Sequence, residues 1–350
     1  MASPPAPPDP VRHAGGTVVI RFPTTIEAAA ASEGRLRAGG TDELDLRHRR
    51  ITSGPVVDLR DLAGLDRIET IEAGGLRIGA MVPLAVLATD QRIRGGWPGL
   101  AGAAGGLATP QIRARATLGG SLLQQVRCWY YRSVHFDCLK KGGGACFARG
   151  GDHVFHSALD TGPCIAAHPS TMACALWAFD AGIEIGGDLE ALRTIPELLG
   201  DGSDPRETHA LQPGEVLTAI HLPAPTAGDR SAYFRTIHRA RAEWPLVEST
   251  VRVHTDEAGV MTGLALAVGG VANRPLRYDD AARALIGLRP DDPKVDAVFA
   301  ALGKPTEELP GSAYKARLIP PTLRETLDLA LAAPPAEPLI ETAPEGEEAP

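Results

Sequence analysis

Cysteine is scarce in this sequence, and the few cysteines lie close together. Only 5 of the 350 residues are cysteine, and all of them fall between Cys128 and Cys174. No apolar run approaches the roughly eighteen residues of a membrane span. The N-terminus lacks the apolar core and the basic flank of a signal peptide. We therefore expect a cytoplasmic protein, where isolated disulfides are rare, so the cysteines favour metal or redox chemistry.

Basic charge and the common catalytic motifs are also missing. The net charge is −8, so no basic field attracts nucleic acid or an anionic membrane. The sequence contains no Ser-His-Asp motif, no HExxH and no paired carboxylates at a recognisable spacing. No residue is therefore predicted to be catalytic, and a subunit of a larger enzyme is favoured over a self-sufficient one.

Composition and periodicity predict two domains between two tails. Residues 1–16 are proline-rich and 333–350 are proline-rich and acidic, and both are predicted to be disordered. A first, mixed domain is predicted over 17–223, with short strands at 17–22, 54–62 and 75–82. After a linker, a smaller α+β domain is predicted over 230–332, closed by a helix at 323–333. The fold class is therefore predicted to be α+β.

Two glycine loops in the first domain suit a diphosphate. Gly39-Gly40-Thr41 follows a short predicted strand, and Thr117 and Ser121 flank Gly119-Gly120. Glycines let backbone N–H groups approach a phosphate, and a hydroxyl adds a donor. Neither loop is a Walker A or a Rossmann motif. Alone, the first loop could equally be an ordinary turn.

Five segments together carry a family resemblance. They are GGTDEL, QIRARATLGGSL, HPSTMACALWAFDAGIEI, AYFRTIHRARAEWPLVESTVRV and GGVANRPLR. They resemble the FAD-binding subunit of the xanthine dehydrogenase family of molybdenum hydroxylases, and the match runs over residues 18–331. The resemblance implies a two-part, PCMH-like FAD-binding domain followed by the C-terminal domain of such flavoprotein subunits. It also implies a molybdenum-cofactor large subunit, a small [2Fe–2S] subunit and an external electron acceptor as partners.

Particular residues are implied to contact FAD by the same resemblance. They are Ala38, Gly39, Gly40, Thr41, Asp42, Ala108, Ala116, Thr117, Leu118, Gly119, Gly120, Ser121, Ser170, Thr171, Leu217 and Arg235. Three positions depart from the family pattern. Ser121 replaces an Asn, Thr171 replaces an Asp, and Arg235 replaces a Lys. The Thr171 exchange implies that a carboxylate contact to the ribityl chain is missing, whereas Arg235 still supplies a cation near the flavin.

Four of the five cysteines lie in an insertion between two of these FAD-contacting segments. Ser121 and Ser170 are 49 residues apart, about forty more than in most members of the family. We call residues 122–164 the cysteine segment. Its spacing, Cys128-x9-Cys138-x7-Cys146-x17-Cys164, lacks the tight knuckles of structural zinc sites and the ferredoxin pattern. Four spread thiolates can hold either a [4Fe–4S] cluster or zinc.

A [4Fe–4S] cluster is implied by the closest part of the resemblance. Flavin subunits similar to 4-hydroxybenzoyl-CoA reductase and to bacterial periplasmic aldehyde oxidoreductase carry such an insert here. Cys128, Cys138, Cys146 and Cys164 are its implied ligands, while Cys174 is predicted to be a core residue of a helix. Alternative ligands are His135, His153 and His156. Trp129, Tyr130, Tyr131 and Phe136 either shield the cluster or form a small local core, and the segment's excess of Lys and Arg either offsets cluster charge or is solvated.

The preferred hypothesis is an electron-transfer subunit of a heterotrimeric molybdenum hydroxylase acting on an aldehyde or aromatic substrate. FAD and [4Fe–4S] belong to this chain, and electrons arrive from partner [2Fe–2S] clusters. The alternatives are a stand-alone FAD-dependent oxidase and a zinc-binding interaction protein. An alternative to the cytoplasm is the periplasm, reached by export together with a partner subunit.

Overall fold

Two α+β units, the first of which contains the cysteine segment, make up the protein in the computed structural model, which describes residues 18–71 and 74–337. The predicted tail over 1–16 lies outside the described residues, as do residues 338–350 of the other tail. Residues 333–337 belong to the tail that was predicted to be disordered, and most of them are exposed, but one of them contacts the fold. Ala336 is buried, and its N–H donates to the Asp229 carbonyl at 2.6 Å. No helix in the described part of the chain is both long and apolar enough to cross a membrane.

The N-terminal unit begins with a small parallel sheet. Its elements are β1 (Ile20–Arg21), α1 (Ile26–Ala31), β2 (Arg35–Arg37), α2 (Glu43–His48) and β3 (Val56–Asp58). β3 lies between β1 and β2 and is parallel to both. The Thr25 hydroxyl caps α1 by accepting from the Ala28 N–H at 3.1 Å. Residues 38–42, the first glycine loop, therefore connect the end of a parallel strand to α2.

A five-stranded antiparallel sheet forms the larger part of this unit. Its strands are β4 (Ile68–Thr70), β5 (Leu76–Gly79), β6 (Gly182–Ile185), β7 (Asp188–Arg193) and β8 (Leu217–Leu222). The strand order is β4-β5-β8-β6-β7. The helices of this stretch of chain are α3 (Leu84–Leu87), α4 (Gln91–Gly96), α5 (Pro98–Gly106), α6 (Pro110–Arg113), α7 (Leu118–Leu122), α8 (Phe147–Gly150), α9 (Thr171–Ala178) and α10 (Ile195–Leu199). Leu76, Ile78, Leu100, Leu176 and Ile220 lie fully buried in the shared core.

The C-terminal unit is an antiparallel sheet covered by helices. Its elements are β9 (Arg230–Thr236), β10 (Val247–Thr255), β11 (Met261–Gly269), β12 (Leu276–Arg277), α11 (Asp279–Leu285), α12 (Pro293–Leu302) and α13 (Ala313–Ala332). The strand order is β12-β11-β10-β9. Val251, Leu266, Phe299 and Leu323 belong to its buried core. The unit joins the first one closely, because the Gly99 N–H on α5 donates to the buried Ser231 hydroxyl on β9 at 3.0 Å.

Two elements differ from the sequence-based expectation. The strand predicted over 17–22 is only two residues long. The closing helix begins at Ala313, ten residues before its predicted start, and continues through Pro320 and Pro321. Prolines inside a helix remove backbone hydrogen bonds and predict an interruption. Here the buried face formed by Ile319, Leu323 and Leu327 holds the helix together against the sheet.

Candidate functional site

A cavity of about 370 Å³ lies between the two glycine loops. We call it the glycine-loop cavity. Fourteen of the sixteen residues that the sequence implied for FAD line it. They are Ala38, Gly39, Gly40, Thr41, Asp42, Ala108, Ala116, Thr117, Gly119, Gly120, Ser121, Thr171, Leu217 and Arg235. The fold therefore brings together five segments that are far apart in the chain: the two glycine loops, the start of α9, β8 and β9.

Leu118 and Ser170 are the two implied residues that do not line this cavity. The Leu118 side chain is fully buried in the core of the first unit. The Ser170 hydroxyl caps α9 by accepting from the Ala173 N–H at 3.0 Å. Both side chains therefore help to fix the backbone next to the cavity and do not line the cavity themselves.

The two glycine loops touch each other through backbone atoms. A Cβ built on Gly39 would lie 1.8 Å from the carbonyl oxygen of Arg115. The Gly119 N–H donates to the Ala80 carbonyl at 2.9 Å, and a Cβ there would lie 2.8 Å from the Ala80 Cβ. Only glycine allows these approaches, so the loops form one continuous backbone surface.

Arg37 leaves an unused donor beside the first loop. Its Nη1 pairs with the buried Asp58 carboxylate at 3.2 Å, but its Nε is buried and has no partner among the described residues. A Cβ on Gly40, which has φ +75°, would lie 2.8 Å from this Nε. Unpartnered buried donors are rare in folded proteins, and this one fits an anionic group bound at the loop.

The far wall of the cavity contains a strained residue. Ala108 has φ +49°, in the left-handed region that residues other than glycine seldom adopt. The Arg113 Nη1 donates to the carbonyls of Leu107 and Ala108, both at 2.8 Å. These two hydrogen bonds hold the strained backbone in place at the cavity wall.

Asp42 ties the first glycine loop to the cysteine segment. Arg132 Nη2 and Arg127 Nη1 each lie 2.7 Å from its carboxylate, and the Gln125 N–H donates to it at 2.8 Å. Arg132 also reaches Asp45 at 2.6 Å. Sequence reasoning counted both arginines only as part of a basic excess. Pairing across about ninety residues carries no local sequence signal.

Arg127 lies at the junction of the cavity and the cysteine segment. Its guanidinium stands 4.7 Å from the ring centre of Trp244. Burial lowers the pKa of Arg127 to about 10, although Asp42 opposes this shift, so the group stays charged at neutral pH. The cation is therefore held between a carboxylate and an aromatic face.

A buried carboxylate lies behind Thr171, where the sequence predicted that none is available. Glu248 on β10 accepts hydrogen bonds from the Thr171 hydroxyl at 2.8 Å and the Tyr233 hydroxyl at 2.7 Å. Burial raises the pKa of Glu248 above 4.5, and the two hydrogen bonds only partly offset this. The C-terminal unit thus supplies a carboxyl group close to the position of the missing Asp.

Replacing Glu248 by Gln is expected to make stability less dependent on pH. The folded pKa of Glu248 lies above its unfolded value of 4.5, so the unfolded chain releases the proton first. Stability from this group is present below pH 4.5 and falls by up to about 1.4 kcal/mol per pH unit as the pH rises toward the folded pKa. Thermal unfolding midpoints of wild type and Glu248→Gln, compared from about pH 5 to pH 8, should diverge in favour of the variant.

Glu184→Gln is the matched control, because the pKa of Glu184 is lowered in the folded protein whereas that of Glu248 is raised. Burial would raise the pKa of Glu184, but hydrogen bonds from Arg77, His221 and Thr218 hold it to about 2. This carboxylate stabilises the fold above pH 4.5, and that contribution is lost as the pH falls toward 2. The Glu184→Gln variant should therefore be less stable than wild type at neutral pH. If the unfolding midpoints of wild type and Glu248→Gln change with pH in parallel, the pKa of Glu248 is not raised in the folded protein.

Four of the five cysteines surround one small space in the cysteine segment. Cys128, Cys138, Cys146 and Cys164 all line it, and none of them forms a disulfide. Cys174 is fully buried on α9 beside Ala267 of the C-terminal unit, away from that space. Gly143 allows the chain to fold back here, since its Cβ would lie 1.9 Å from the Asp137 carbonyl oxygen.

Burial favours the protonated form of two of the four thiols. Burial raises the pKa of Cys128 to about 11 and also raises the pKa of Cys164. His156 Nε2 lies 3.2 Å from Cys128 Sγ. His153 instead lies against the C-terminal unit, where its Nε2 accepts from the Gly311 N–H at 3.0 Å, and His135 is exposed. Within residues 18–71 and 74–337, no group of three His, Cys, Asp or Glu side chains converges on a single ion.

The lysines of the cysteine segment bind protein groups and are not simply solvated. Lys140 Nζ donates to the Glu207 carbonyl at 2.9 Å, and Lys141 Nζ donates to the Ser133 carbonyl at 2.7 Å. Arg149 pairs with Asp160 at 2.7 Å. Burial lowers the pKa of Lys140, while the neighbouring thiols Cys164 and Cys138 oppose this shift. Positive charge is therefore fixed beside the thiols.

Lys315 on α13 of the C-terminal unit forms hydrogen bonds to the cysteine segment. Its Nζ donates to the His156 carbonyl at 2.9 Å, to the Phe155 carbonyl at 3.4 Å and to the Gly270 carbonyl. Burial lowers the pKa of Lys315 to about 7. A single buried amine thus joins the last long helix to the cysteine segment.

Aromatic side chains cover the outer side of the four thiols. Tyr130 contacts Phe136 at a ring separation of 5.0 Å, and Phe136 contacts Phe147 at 5.2 Å. Trp129 lies edge-on to His156 at 4.8 Å. Tyr131 packs on the inner side with Cys138. The rings form a small core of their own and at the same time separate the thiols from solvent.

Comparison with known proteins places both units in described families. Residues 23–225 match the FAD binding domain in molybdopterin dehydrogenase, and residues 232–318 match the CO dehydrogenase flavoprotein C-terminal domain. The chain is 35% identical over 271 residues to the aldehyde oxidoreductase FAD-binding subunit PaoB of Escherichia coli, covering 75% of this chain and 83% of that protein.

More distant similarities extend over most of the chain. The carbon monoxide dehydrogenase medium chain of Afipia carboxidovorans is 26% identical over 305 residues, which is 86% of this chain and 90% of that protein. A solved structure of carbon monoxide dehydrogenase from Hydrogenophaga pseudoflava superimposes with a TM-score of 0.69, covering 91% of this chain and 98% of that one at 22% identity. The last match bears on the fold alone.

Proposed function

This chain belongs to the family of FAD-binding subunits of molybdopterin dehydrogenases, and from that membership we propose that it passes electrons within a heterotrimeric aldehyde- or aromatic-oxidising complex. It is the FAD-binding subunit of an oxidoreductase of the aldehyde and xanthine dehydrogenase type. Its partners in the proposal are a molybdenum-cofactor subunit and a small [2Fe–2S] subunit. The observation that carries the proposal is the glycine-loop cavity, formed by two backbone loops in contact.

The residues of the glycine-loop cavity fit FAD. Gly39 and Gly119 leave no room for a side chain at the loop surface, and the unpartnered Nε of Arg37 provides a donor for a pyrophosphate. Leu217 contributes an apolar wall toward the ring end of the cavity. When bound, FAD couples one-electron clusters to a two-electron acceptor.

One cation, Arg235, lines the part of this cavity where the family resemblance places the flavin ring. Arg235 is held by its own loop, because its guanidinium donates to the carbonyls of Glu243 and Arg241. It therefore presents a fixed cation that favours negative charge on a bound flavin. Thr171 on α9 of the first unit lines the same space, and its hydroxyl donates to the buried Glu248 carboxyl group of the C-terminal unit at 2.8 Å.

The cysteine segment suits a [4Fe–4S] cluster better than a single zinc ion. Structural zinc sites usually draw their ligands from closely spaced cysteine knuckles, whereas 9, 7 and 17 residues separate the four cysteines here. A cubane binds each thiolate at a different corner, so its four thiolates stand further apart. Lys140 fixes a positive charge nearby, and Cys128 receives hydrogen bonds from the backbone at Tyr131 and Tyr130. Such contacts stabilise thiolate ligands and tune a cluster.

Purification of the tagged full chain from its own cells tests this proposal. We expect about one FAD per chain, together with co-purified subunits that hold molybdenum and [2Fe–2S] clusters. In the Cys138→Ser variant the complex should lose about four iron atoms, the content of one cubane, and keep its FAD. Iron is counted by mass spectrometry and FAD by release into solution.

Cys174→Ala is the control for the iron count, since that thiol lies in the helix core and not around the four-cysteine space. It should retain both cofactors. A wild-type chain without FAD would overturn the proposed function. Zinc in place of iron, or loss of FAD alone from Cys138→Ser, would overturn the cluster and leave the flavin proposal standing.

A further inference from the structure

A second and larger cavity lies between the glycine-loop cavity and the cysteine segment. Its volume is about 520 Å³, within the usual range for small-molecule sites. We call it the aromatic cavity. It shares Arg127, Pro169, Glu243, Trp244 and Pro245 with the glycine-loop cavity. A molecule bound here would therefore lie directly beside a flavin bound there.

The walls of the aromatic cavity are suited to a flat ring. Trp129 and Phe155 lie edge to face with ring centres 6.4 Å apart, and Phe155 meets His238 at 5.8 Å. Trp244 forms the wall shared with the glycine-loop cavity. Phe155 and Trp244 each expose 47% of their surface, a large fraction for an aromatic residue, because they border this open space.

His168 lines the aromatic cavity and carries an unused hydrogen-bond donor. Its side chain is 95% buried, and its Nδ1 accepts from the Ser170 N–H at 3.3 Å. Burial lowers the pKa of His168 to about 3, so the ring is neutral and its remaining proton is on Nε2. That Nε2 is buried and has no partner among the described residues. An acceptor atom of a bound ligand would satisfy this donor.

The charges around the cavity disfavour a dinucleotide. Arg127 is committed to Asp42 and to the face of Trp244. Glu243 and Arg239 also belong to the lining, and the Glu243 carboxylate accepts from the Arg239 N–H at 2.9 Å, so these opposite charges leave little net attraction for a pyrophosphate. A flat, uncharged ring with a carbonyl oxygen meets both requirements, since the ring packs on the aromatic walls and the oxygen accepts from His168 Nε2.

We propose that the aromatic cavity binds a quinone, which serves as the external electron acceptor of this subunit. The inference rests on the proposed function, because a quinone in this cavity can be reduced only by a flavin bound in the glycine-loop cavity. A two-electron-reduced, anionic flavin bound next to this cavity would supply two electrons and one proton, solvent would supply the second proton, and the hydroquinone would leave while the flavin returned to its oxidised form. The site adjoins the glycine-loop cavity, and on the side of the cysteine segment Cys128 and its neighbour His156 form part of its wall.

Calorimetric titration of the FAD-loaded full chain with menadione tests this inference. We expect one saturable site per chain. His168→Leu should weaken binding about three- to tenfold, the effect of one lost hydrogen bond, whereas His168→Gln retains a donor and should bind nearly as well as wild type. Phe155→Ala should also weaken binding. Phe22→Ala, which removes a similarly exposed ring (48%) far from the cavity, should have no effect.

FAD content is measured separately for every sample, so the two proposals fail in different ways. A chain that carries no FAD overturns the proposed function. An FAD-loaded chain that does not bind menadione, or binds it equally well with Leu at 168 and Ala at 155, overturns the quinone site. Binding only to flavin-free protein would mean that FAD itself fills the aromatic cavity. Saturable binding of NAD⁺ that menadione cannot displace would identify a nucleotide acceptor and also overturn it.

Discussion

Replacing Gly39 by alanine is expected to weaken FAD binding by at least about a hundredfold, or about 2.7 kcal/mol. The added Cβ would lie 1.8 Å from the Arg115 carbonyl oxygen, which is far inside van der Waals contact. That atom is backbone, so no side-chain rotation relieves the clash, and the two glycine loops must separate. Their separation removes the surface on which a pyrophosphate would lie. FAD retained after gel filtration, and the dissociation constant of added FAD, measure the effect.

Gly95→Ala is the matched control for this experiment. Gly95 lies in α4, and nothing stands within 4 Å of the position of its Cβ. Alanine is preferred over glycine in a helix by about 1 kcal/mol, so this variant should be slightly more stable and bind FAD normally. Normal FAD binding by Gly39→Ala would show that the flavin does not sit on these loops.

Replacing Arg132 by alanine is expected to destabilise the protein by about 3–5 kcal/mol. The guanidinium is almost fully buried and bonds to Asp42, to Asp45 and to the Val126 carbonyl at 2.9 Å. Its removal leaves two carboxylates close together with less compensating charge. Arg132→Lys should recover only part of the loss, because an ammonium cannot match the planar fork. Chemical denaturation, followed by loss of flavin fluorescence quenching and by circular dichroism, measures both effects.

Arg206→Ala is the control for Arg132. Arg206 also pairs with an aspartate, Asp204, but its side chain is 69% exposed. Exposed pairs contribute little, so this variant should lose less than about 1 kcal/mol. If Arg132→Ala lowers the free energy of unfolding no more than Arg206→Ala does, the buried ion pairs of Arg132 do not stabilise the protein as proposed.

Local sequence patterns were sufficient to predict the two glycine loops, but they did not predict the charged side chains that lie beside these loops in the fold. Two Gly-Gly elements beside hydroxyl residues indicate close backbone approach wherever they occur, and the fold brings both to one cavity. Glu248 escaped notice because its importance depends on β10 lying behind Thr171, 77 residues away in the chain. The Asp42–Arg132 pair was missed for the same reason. Charged side chains that pair across distant segments carry no periodic signal.

Helix prediction failed where local propensity and packing disagree. Two consecutive prolines at 320 and 321 predict a helix that starts after them, yet α13 extends seven residues before them. Ile319, Leu323 and Leu327 bury one continuous face against the C-terminal sheet, and that burial outweighs the local cost. Burial of this kind is decided by the tertiary structure, which sequence periodicity alone does not reveal.

The position of Lys315 has a consequence for synthesis of the chain. Its amine closes the cysteine segment by bonding to the carbonyls of Phe155 and His156, yet it lies more than 150 residues after them. A ribosome releases the four cysteines well before it makes the residue that fastens them. The cysteine segment therefore cannot be joined to the C-terminal unit during that interval, and folding of α13 is the event that completes this attachment.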